Sequence, residues 1–184
     1  MAVKDTPIKQ NKKLDLNIKK ILLNFILIIS IFSADRISKI YILKILESEN
    51  KVDIYLTEYF NFYLIWNKGV AFGLFSFNES FIYNIITAII IIMCVVVMVM
   101  IYGNSGFKKL SLIFVLGGAI GNLFDRIYYS AVPDFIDFHI NGFHWFVFNV
   151  ADIFITLGII CLIFDEIFVN NKNNKNNKNN EKIT

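Results

Sequence analysis

Aspartates in an otherwise apolar chain are the first candidates for chemistry. The stretch Gly117–Phe138, GGAIGNLFDRIYYSAVPDFIDF, contains Asp125, Asp134 and Asp137, and Asp152 follows within FNVAD. Charges close to a bilayer are energetically unfavourable and usually serve a function. Two carboxylates that meet can share one proton, so that one activates a water as general base while the other acts as acid. These residue types therefore point to aspartic-protease chemistry.

The composition places these acids in a membrane protein. Of the 184 residues, 56% are hydrophobic, compared with about 45–50% in soluble domains. The lysines are concentrated at the two ends of the chain, beside apolar runs. The positive-inside rule accounts for them more simply than nucleic-acid binding, so no nucleic-acid partner is expected. The first apolar run lacks a small-residue cleavage site and is predicted to be a retained span.

Four apolar segments have about the 20 residues that a bilayer requires. They are Ile21 to about Tyr41, Phe81–Tyr102, Leu110 to about Ile127, and about Phe148 to Phe168. The Lys-rich ends and the GNSGFKK turn predict cytoplasmic termini, with residues 42–80 and 128–147 outside. The 42–80 loop is rich in β-formers and predicts a small extracytoplasmic sheet.

This organisation predicts three regions. Residues 1–20 form a cytoplasmic Lys-rich tail, residues 21–168 the membrane domain, and residues 169–184 a cytoplasmic Asn/Lys low-complexity tail that cannot build a core. Cys94 and Cys161 lie inside apolar runs and are interpreted as buried small hydrophobes rather than disulfide partners.

Three acids are predicted to lie at one depth in the membrane. Counting from the nearest charge at each cytoplasmic boundary, the helical rise places Asp35, Asp125 and Asp152 roughly 20–24 Å into the bilayer. The hydrocarbon core is about 30 Å thick. A charged residue at an ordinary helix end could explain one acid at this depth, but it does not readily explain three. The pattern therefore favours a polar site close to the outer surface of the membrane.

Local spacing adds specific contacts. In DRISK, Asp35 and Lys39 are at i and i+4, which predicts an ion pair on one helix face. The glycine pair Gly117-xxx-Gly121 predicts close approach of another helix. Asn122, Asp125 and Arg126 share the adjoining face and predict a buried hydrogen-bond network that braces the site.

The loop and strand motifs are less specific. Asp134 and Asp137 in VPDFIDF are predicted to face opposite sides of an extended segment, so that only one of them faces the site. Asn149 stands three residues before Asp152 and is also suited to cap the last helix. Gly69, in NKGVAFG, permits a backbone conformation or close approach that other residues forbid.

Other chemistries remain open on these residues. His139 and His144, in a predicted loop, could bind a metal with Asp134 and Asp137, but the spacing does not favour it, and neither a metal nor another cofactor is expected. Intramembrane acids also occur in proton-coupled transporters and ion-conducting proteins. A non-catalytic assembly factor held together by polar contacts between helices is a further alternative.

Taken together, the motifs DRISK, NKGVAFG, GGAIGNLFDR, VPDFIDF and FNVAD occur in the order seen in bacterial lipoprotein signal peptidases (signal peptidase II). The resemblance covers roughly residues 20–168. It implies a membrane all-α fold of four transmembrane helices, with a small extracytoplasmic β-cradle and a short helical flap. It also implies an aspartic endopeptidase of the bacterial inner (plasma) membrane. A monomer is expected, with both termini cytoplasmic and the active site near the outer face.

The resemblance implies a substrate and a set of site residues. The substrate is a prolipoprotein bearing a diacylglyceryl-modified Cys, which is cut just before that Cys among membrane lipids. The catalytic pair maps onto Asp134 and Asp152. The substrate-binding and supporting positions map onto Asp35, Lys39, Asn67, Gly69, Asn122, Asp125, Arg126 and Asn149.

Overall fold

The computed structural model describes residues 7–69, 79–140 and 143–170. In these ranges the chain forms four α-helices and one four-stranded antiparallel sheet. In chain order the elements are α1 (Pro7–Glu49), β1 (Asp53–Thr57), β2 (Phe60–Asn67), α2 (Glu79–Gly103), α3 (Gly106–Tyr129), β3 (Val132–Ile140), β4 (Phe143–Phe148) and α4 (Val150–Phe164). A π-helical turn, Asp165–Asn170, continues α4.

Three of these helices are long and apolar enough to cross a membrane. They are α1 over Asn17–Glu49, α2 over Phe81–Gly103, and α3 over Gly106–Tyr129. Most side chains of α2 face outward, and Val99 is 68% exposed. Such an apolar surface suits contact with lipid rather than water. The fourth predicted span stays a prediction, because α4 has only 15 residues before its π-helical turn.

The first helix is longer than the sequence predicted. It begins at Pro7 rather than Ile21 and continues past Tyr41 to Glu49. Proline is well tolerated at the first helical position, and neither glycine nor proline interrupts the chain between Pro7 and Glu49. The described part of the Lys-rich segment is therefore helical. Residues 1–6 and 171–184 lie outside the described residues.

The predicted sheet exists and is larger than expected. Its strands are ordered β1-β2-β3-β4, with every neighbouring pair antiparallel. The 42–80 region supplies β1 and β2, as predicted. Residues 132–140 and 143–148 supply the paired strands β3 and β4, so the prediction of a loop around His139 and His144 was wrong. These two histidines lie directly opposite each other on β3 and β4.

A small apolar cluster attaches the sheet to the end of α1. Ile42 of α1 packs with Val52, Phe135 and Ile136 in this cluster. The strands are rich in aromatic and β-branched residues, which favours the pleated conformation. No short helix matching the expected flap occurs in the described residues, and residues 70–78, which include part of NKGVAFG, lie outside them.

Glycines let α3 contact its neighbours at short range. A Cβ built on Gly117 would lie 2.9 Å from Ile31 Cβ of α1, and one built on Gly121 would lie 2.8 Å from Asp35 Oδ2. A Cβ on Gly118 would collide with the carbonyl oxygen of Ala151 in α4. The predicted close approach is therefore confirmed, and it brings the acids of α1 and α3 together.

The lysine distribution generates a topology prediction. Cysteine introduced at exposed Lys51, after α1, should react with a membrane-impermeant thiol reagent in intact bacteria. Cysteine at exposed Ser105, between α2 and α3, should react only after permeabilisation. Both variants would be made in a chain lacking Cys94 and Cys161, and labelling would be read by a gel shift. The reverse labelling pattern would contradict the prediction.

Candidate active site

Two acids and two cations form a buried cluster between α1 and α3. Asp35 and Asp125 are fully buried, and Lys39 is 1% exposed. Lys39 Nζ donates to Asp35 Oδ2 at 3.0 Å and to Asp125 Oδ2 at 2.6 Å. The predicted ion pair between Asp35 and Lys39 is therefore confirmed. Arg36 supplies the second cation, so the cluster is formally neutral.

Arg36 is the site residue that the sequence reasoning missed. Its guanidinium binds Asp125 with two hydrogen bonds, Nη1 to Oδ1 at 2.5 Å and Nη2 to Oδ2 at 2.7 Å, and it also donates to Asp35 at 2.7 Å. The sequence analysis had assigned Asp125 to a network with Arg126 instead. Because Arg36 and Asp125 are 89 positions apart, helical spacing could not reveal this pair. The only available signal was a second cation inside DRISK.

The cluster orients an amide that reaches one of the proposed catalytic acids. Lys39 Nζ donates to Asn122 Oδ1 at 3.1 Å. This contact leaves the amide nitrogen of Asn122 to donate to Asp152 Oδ1 at 2.7 Å. Lys39, Asn122 and Asp152 are thus linked in series across α1, α3 and α4. These contacts link Asp35, Asp125 and Asp152 in one hydrogen-bond network, while their common depth in the membrane stays a prediction.

Asn149 holds both proposed catalytic acids. It caps α4 in a reciprocal arrangement in which its Oδ1 accepts from the Asp152 backbone at 3.1 Å and its own backbone N–H donates to Asp152 Oδ2 at 3.1 Å. Its side-chain nitrogen donates to Asp134 Oδ1 at 2.6 Å. The capping role predicted for Asn149 is confirmed. Its contact with Asp134 fixes the two acids relative to each other.

Asp134 is buried, and hydrogen-bond donors occupy both of its oxygens. Asn67 Nδ2 donates to Oδ2 at 2.9 Å, opposite the contact from Asn149. Burial raises the pKa of Asp134 to about 6, although these two hydrogen bonds act to lower it. The negative charge of Asp152 also raises the pKa of Asp134. The surroundings of Asp134 therefore favour its protonated form.

Gly69 and Arg126 meet beside Asn67. Gly69 has a φ of 78° and donates its backbone N–H to Asn67 Oδ1 at 2.7 Å. A Cβ at Gly69 would lie 2.9 Å from Arg126 Nη2, so the glycine makes room for the guanidinium. Arg126 is 9% exposed, and its Nε and Nη1 have no hydrogen-bond partner among the described residues. Arg126 lies beside the site, and Asp125 pairs with Arg36 instead.

Both proposed catalytic acids face one cavity of about 320 Å³. Its remaining polar lining residues are Asn67, Asn122, Arg126 and Asn149. Its apolar lining is supplied by Ile90, Met93, Cys94 and Val97 of α2, Val115, Leu116 and Ala119 of α3, Val132 of β3, and Ile155 and Ile159 of α4. The cavity therefore joins a polar, acidic region to an apolar surface between helices.

Asp137 belongs to different surroundings from Asp134. It lines a second cavity, of about 450 Å³, and its Oδ2 lies 2.7 Å from Nδ1 of His144. The prediction that Asp134 and Asp137 face different sides is confirmed. The metal set considered from the sequence is not brought together as a whole, because Asp137, His139 and His144 cluster without Asp134.

Comparison with known proteins agrees with this architecture. The family model described as Signal peptidase (SPase) II matches residues 27–168. A lipoprotein signal peptidase of Pelagibacter ubique (strain HTCC1062) is 53% identical over 157 residues, which is 85% of this chain and 95% of the relative. One from Anaplasma phagocytophilum (strain HZ) is 36% identical over 153 residues, covering 81% and 94% of the two chains.

Solved structures support the fold. A bacterial membrane enzyme determined by the in meso method at 1.9 Å resolution matches with a TM-score of 0.66 and 24% identity, over 79% of this chain and 93% of that one. A second bacterial membrane enzyme structure, at 2.3 Å resolution, matches with a TM-score of 0.61 and 22% identity, over 82% of this chain and 90% of that one. The family match identifies an enzyme rather than a transporter or an assembly factor. The chain belongs to the signal peptidase II family, and it is an aspartic endopeptidase.

Proposed function

We propose that this enzyme removes the signal peptide from diacylglyceryl-modified prolipoproteins, cutting before the lipidated Cys with Asp134 and Asp152 as the catalytic pair. The observation that carries the proposal is the bridging of both acids by Asn149 beside one cavity. Each carboxylate receives two N–H donors, fewer than its two oxygens can accept, and both acids line that cavity.

The proposed reaction needs one proton on the pair. The ionised carboxylate takes a proton from water, whose oxygen attacks the scissile carbonyl carbon. The protonated carboxylic acid gives its proton to the carbonyl oxygen. The first carboxylate, which now carries the proton from water, gives it to the amine of the lipidated Cys as the C–N bond breaks. The second carboxylate, now ionised, takes the proton of one hydroxyl of the tetrahedral intermediate as the new carboxyl group forms, which restores one proton to the pair. The raised pKa of Asp134 suits it to the role of the initial acid.

Arg126 is suited to bind the substrate backbone. Its buried Nε and Nη1 lack acceptors among the described residues and it lines the cavity of the acids. An unpaired buried donor is energetically unfavourable. A peptide carbonyl entering beside Asn67 and Gly69 would supply the missing acceptor. Arg126 would thereby help to place the scissile bond.

The apolar part of the cavity suits the lipid of the substrate. Side chains from α2, α3 and α4 line it, and α2 exposes apolar surface on its outer side. Acyl chains would enter between these helices and continue into the surrounding lipid. The Cys that carries them would then lie near the acids. In this proposal α4 with its π-helical turn is the fourth span, both termini are cytoplasmic, and the active site lies near the outer face.

The pair of acids generates the first functional prediction. Asp134→Asn and Asp152→Asn should each abolish cleavage of a purified diacylglyceryl-modified precursor, because the amide keeps the size but cannot titrate. The double variant should be scarcely worse than either single variant, since residues that act as one unit are not additive. Asp165→Asn, at the far end of α4, is the matched control and should cleave normally. Substantial turnover by Asp134→Asn would refute the assignment.

The pKa of Asp134 sets the expected pH dependence. Because one proton is required, kcat/KM should fall as the pH rises through about 6. The folded-state pKa lies above the ordinary 3.8, so the native state binds this proton more tightly than the unfolded state. The associated stability is present below pH 3.8 and is lost as the pH rises through about 6. Melting temperatures of wild type and Asp134→Asn between pH 4 and 7 should therefore diverge, and parallel curves would contradict the assignment.

The buried cluster generates a prediction about positioning. Lys39→Met removes one cation from a neutral set and should destabilise the protein by about 3–5 kcal/mol. Adding Asp35→Asn restores neutrality while keeping the bidentate contact of Arg36 with Asp125, so melting temperature should largely recover. Cleavage should not recover, because Asn122 still lacks the donor that orients it toward Asp152.

The kinetic constants of these two variants distinguish a role of Lys39 in positioning Asn122 from a role in stabilising the fold. We expect kcat of the double variant to fall on the order of 10²-fold, with KM nearly unchanged. Recovery of kcat together with stability would show that Lys39 supports only the fold.

A further inference from the structure

Three potential metal ligands meet on the β3–β4 hairpin, away from the proposed catalytic pair. Asp137 and His139 lie on β3, and His144 is the direct partner of His139 on β4. The two imidazole rings have centroids 5.3 Å apart. One ligand atom from each of the three residues lies within 4.8 Å of the others. The pairing of β3 with β4 therefore brings these three side chains together.

Two buried polar atoms in this cluster lack partners. Asp137 is fully buried, and its Oδ1 accepts no hydrogen bond from any described residue. His139 is 9% exposed, and its Nδ1, 3.4 Å from Asp137 Oδ2, also makes no hydrogen bond with the described part of the chain. Leaving buried polar groups unsatisfied costs about 1–3 kcal/mol each. A cation held between these side chains would satisfy Nδ1 of His139, and a carboxylate that binds the cation through both oxygens would also satisfy Oδ1 of Asp137.

The ligand chemistry selects among cations. Ca²⁺ and Mg²⁺ prefer ligand sets made of oxygen atoms. Two imidazoles with one carboxylate are a set that binds Zn²⁺ and leaves a further position for water. The His144 side chain is 58% exposed and borders the cavity of about 450 Å³, so an ion and its water can reach the cluster.

We propose that Asp137, His139 and His144 bind a divalent transition-metal ion, best matched by Zn²⁺, that fastens β4 to β3. The site is separate from the proposed chemistry, because Asp134 and Asp152 line the other cavity. Its role is to stabilise the hairpin that carries Asp134 on one strand and leads from the other into Asn149. The proposal does not depend on the proposed peptidase mechanism.

The test measures metal binding directly. The full chain, purified through a histidine-free tag and stripped with chelator, would be titrated with Zn²⁺ by calorimetry in detergent. We expect one ion per chain, a higher melting temperature with Zn²⁺, and visible absorption characteristic of nitrogen-ligated Co²⁺ when Co²⁺ is substituted. His144→Ala changes a largely exposed side chain and should reduce affinity at least tenfold and remove the thermal shift. His139→Gln provides a second variant.

Matched controls locate the ion. Glu58→Gln alters an exposed carboxylate in the β1–β2 turn and should bind Zn²⁺ like wild type. The Asp134→Asn/Asp152→Asn double variant should also bind like wild type, which excludes the catalytic acids as the ligands. Equal affinity in wild type and in the two histidine variants would overturn the proposal. Loss of binding in the aspartate double variant alone would also overturn it.

Discussion

Four formal charges enclosed between helices are the constraint on which the rest of this structure depends. Moving an ion out of water costs several kcal/mol even in a relaxed protein, so Asp35, Arg36, Lys39 and Asp125 can be buried only as a complete set. These four side chains are held by many contacts and have little freedom to move. Asp35, for example, also accepts a hydrogen bond from the backbone N–H of Ala151 at 3.1 Å. The cluster therefore fixes α1 against α3 and against the first turn of α4. The close helix approach at the glycines of α3 makes this geometry accessible.

Asparagine amides carry that constraint to the acids. A side-chain amide has an oxygen that accepts hydrogen bonds and a nitrogen that donates them. A partner bound to the oxygen therefore determines where the nitrogen points, and a partner bound to the nitrogen determines where the oxygen points. Lys39 fixes Asn122 in this way, and the first turn of α4 fixes Asn149. Neither amide changes charge near neutral pH, so both can hold a carboxylate without competing for its proton. Fold stability and site geometry are consequently parts of one hydrogen-bond network.

The sequence predicted the contacts that depend on spacing within one element. The ion pair of Asp35 with Lys39 follows from i, i+4 geometry, and the cap at Asn149 follows from its distance to Asp152. Contacts between distant elements could not be obtained in this way. The pairing of Arg36 with Asp125 depends on the rotation of two helices about their axes. The meeting of His139 with His144 depends on the register of a hairpin that the sequence analysis had interpreted as a loop.

The two-part lining of the 320 Å³ cavity has a consequence for inhibition and resistance. A competitive inhibitor that combines a hydrocarbon tail with a peptide-like head would contact both parts. On the polar side, replacing Asn67 or Asn149 to exclude such a compound would also release Asp134. On the apolar side, residues such as Met93 or Ile159 can change size without touching a carboxylate. Substitutions that confer resistance should therefore accumulate in the apolar lining of the cavity. Compounds whose affinity comes mainly from contacts with the asparagines should be less affected by such substitutions.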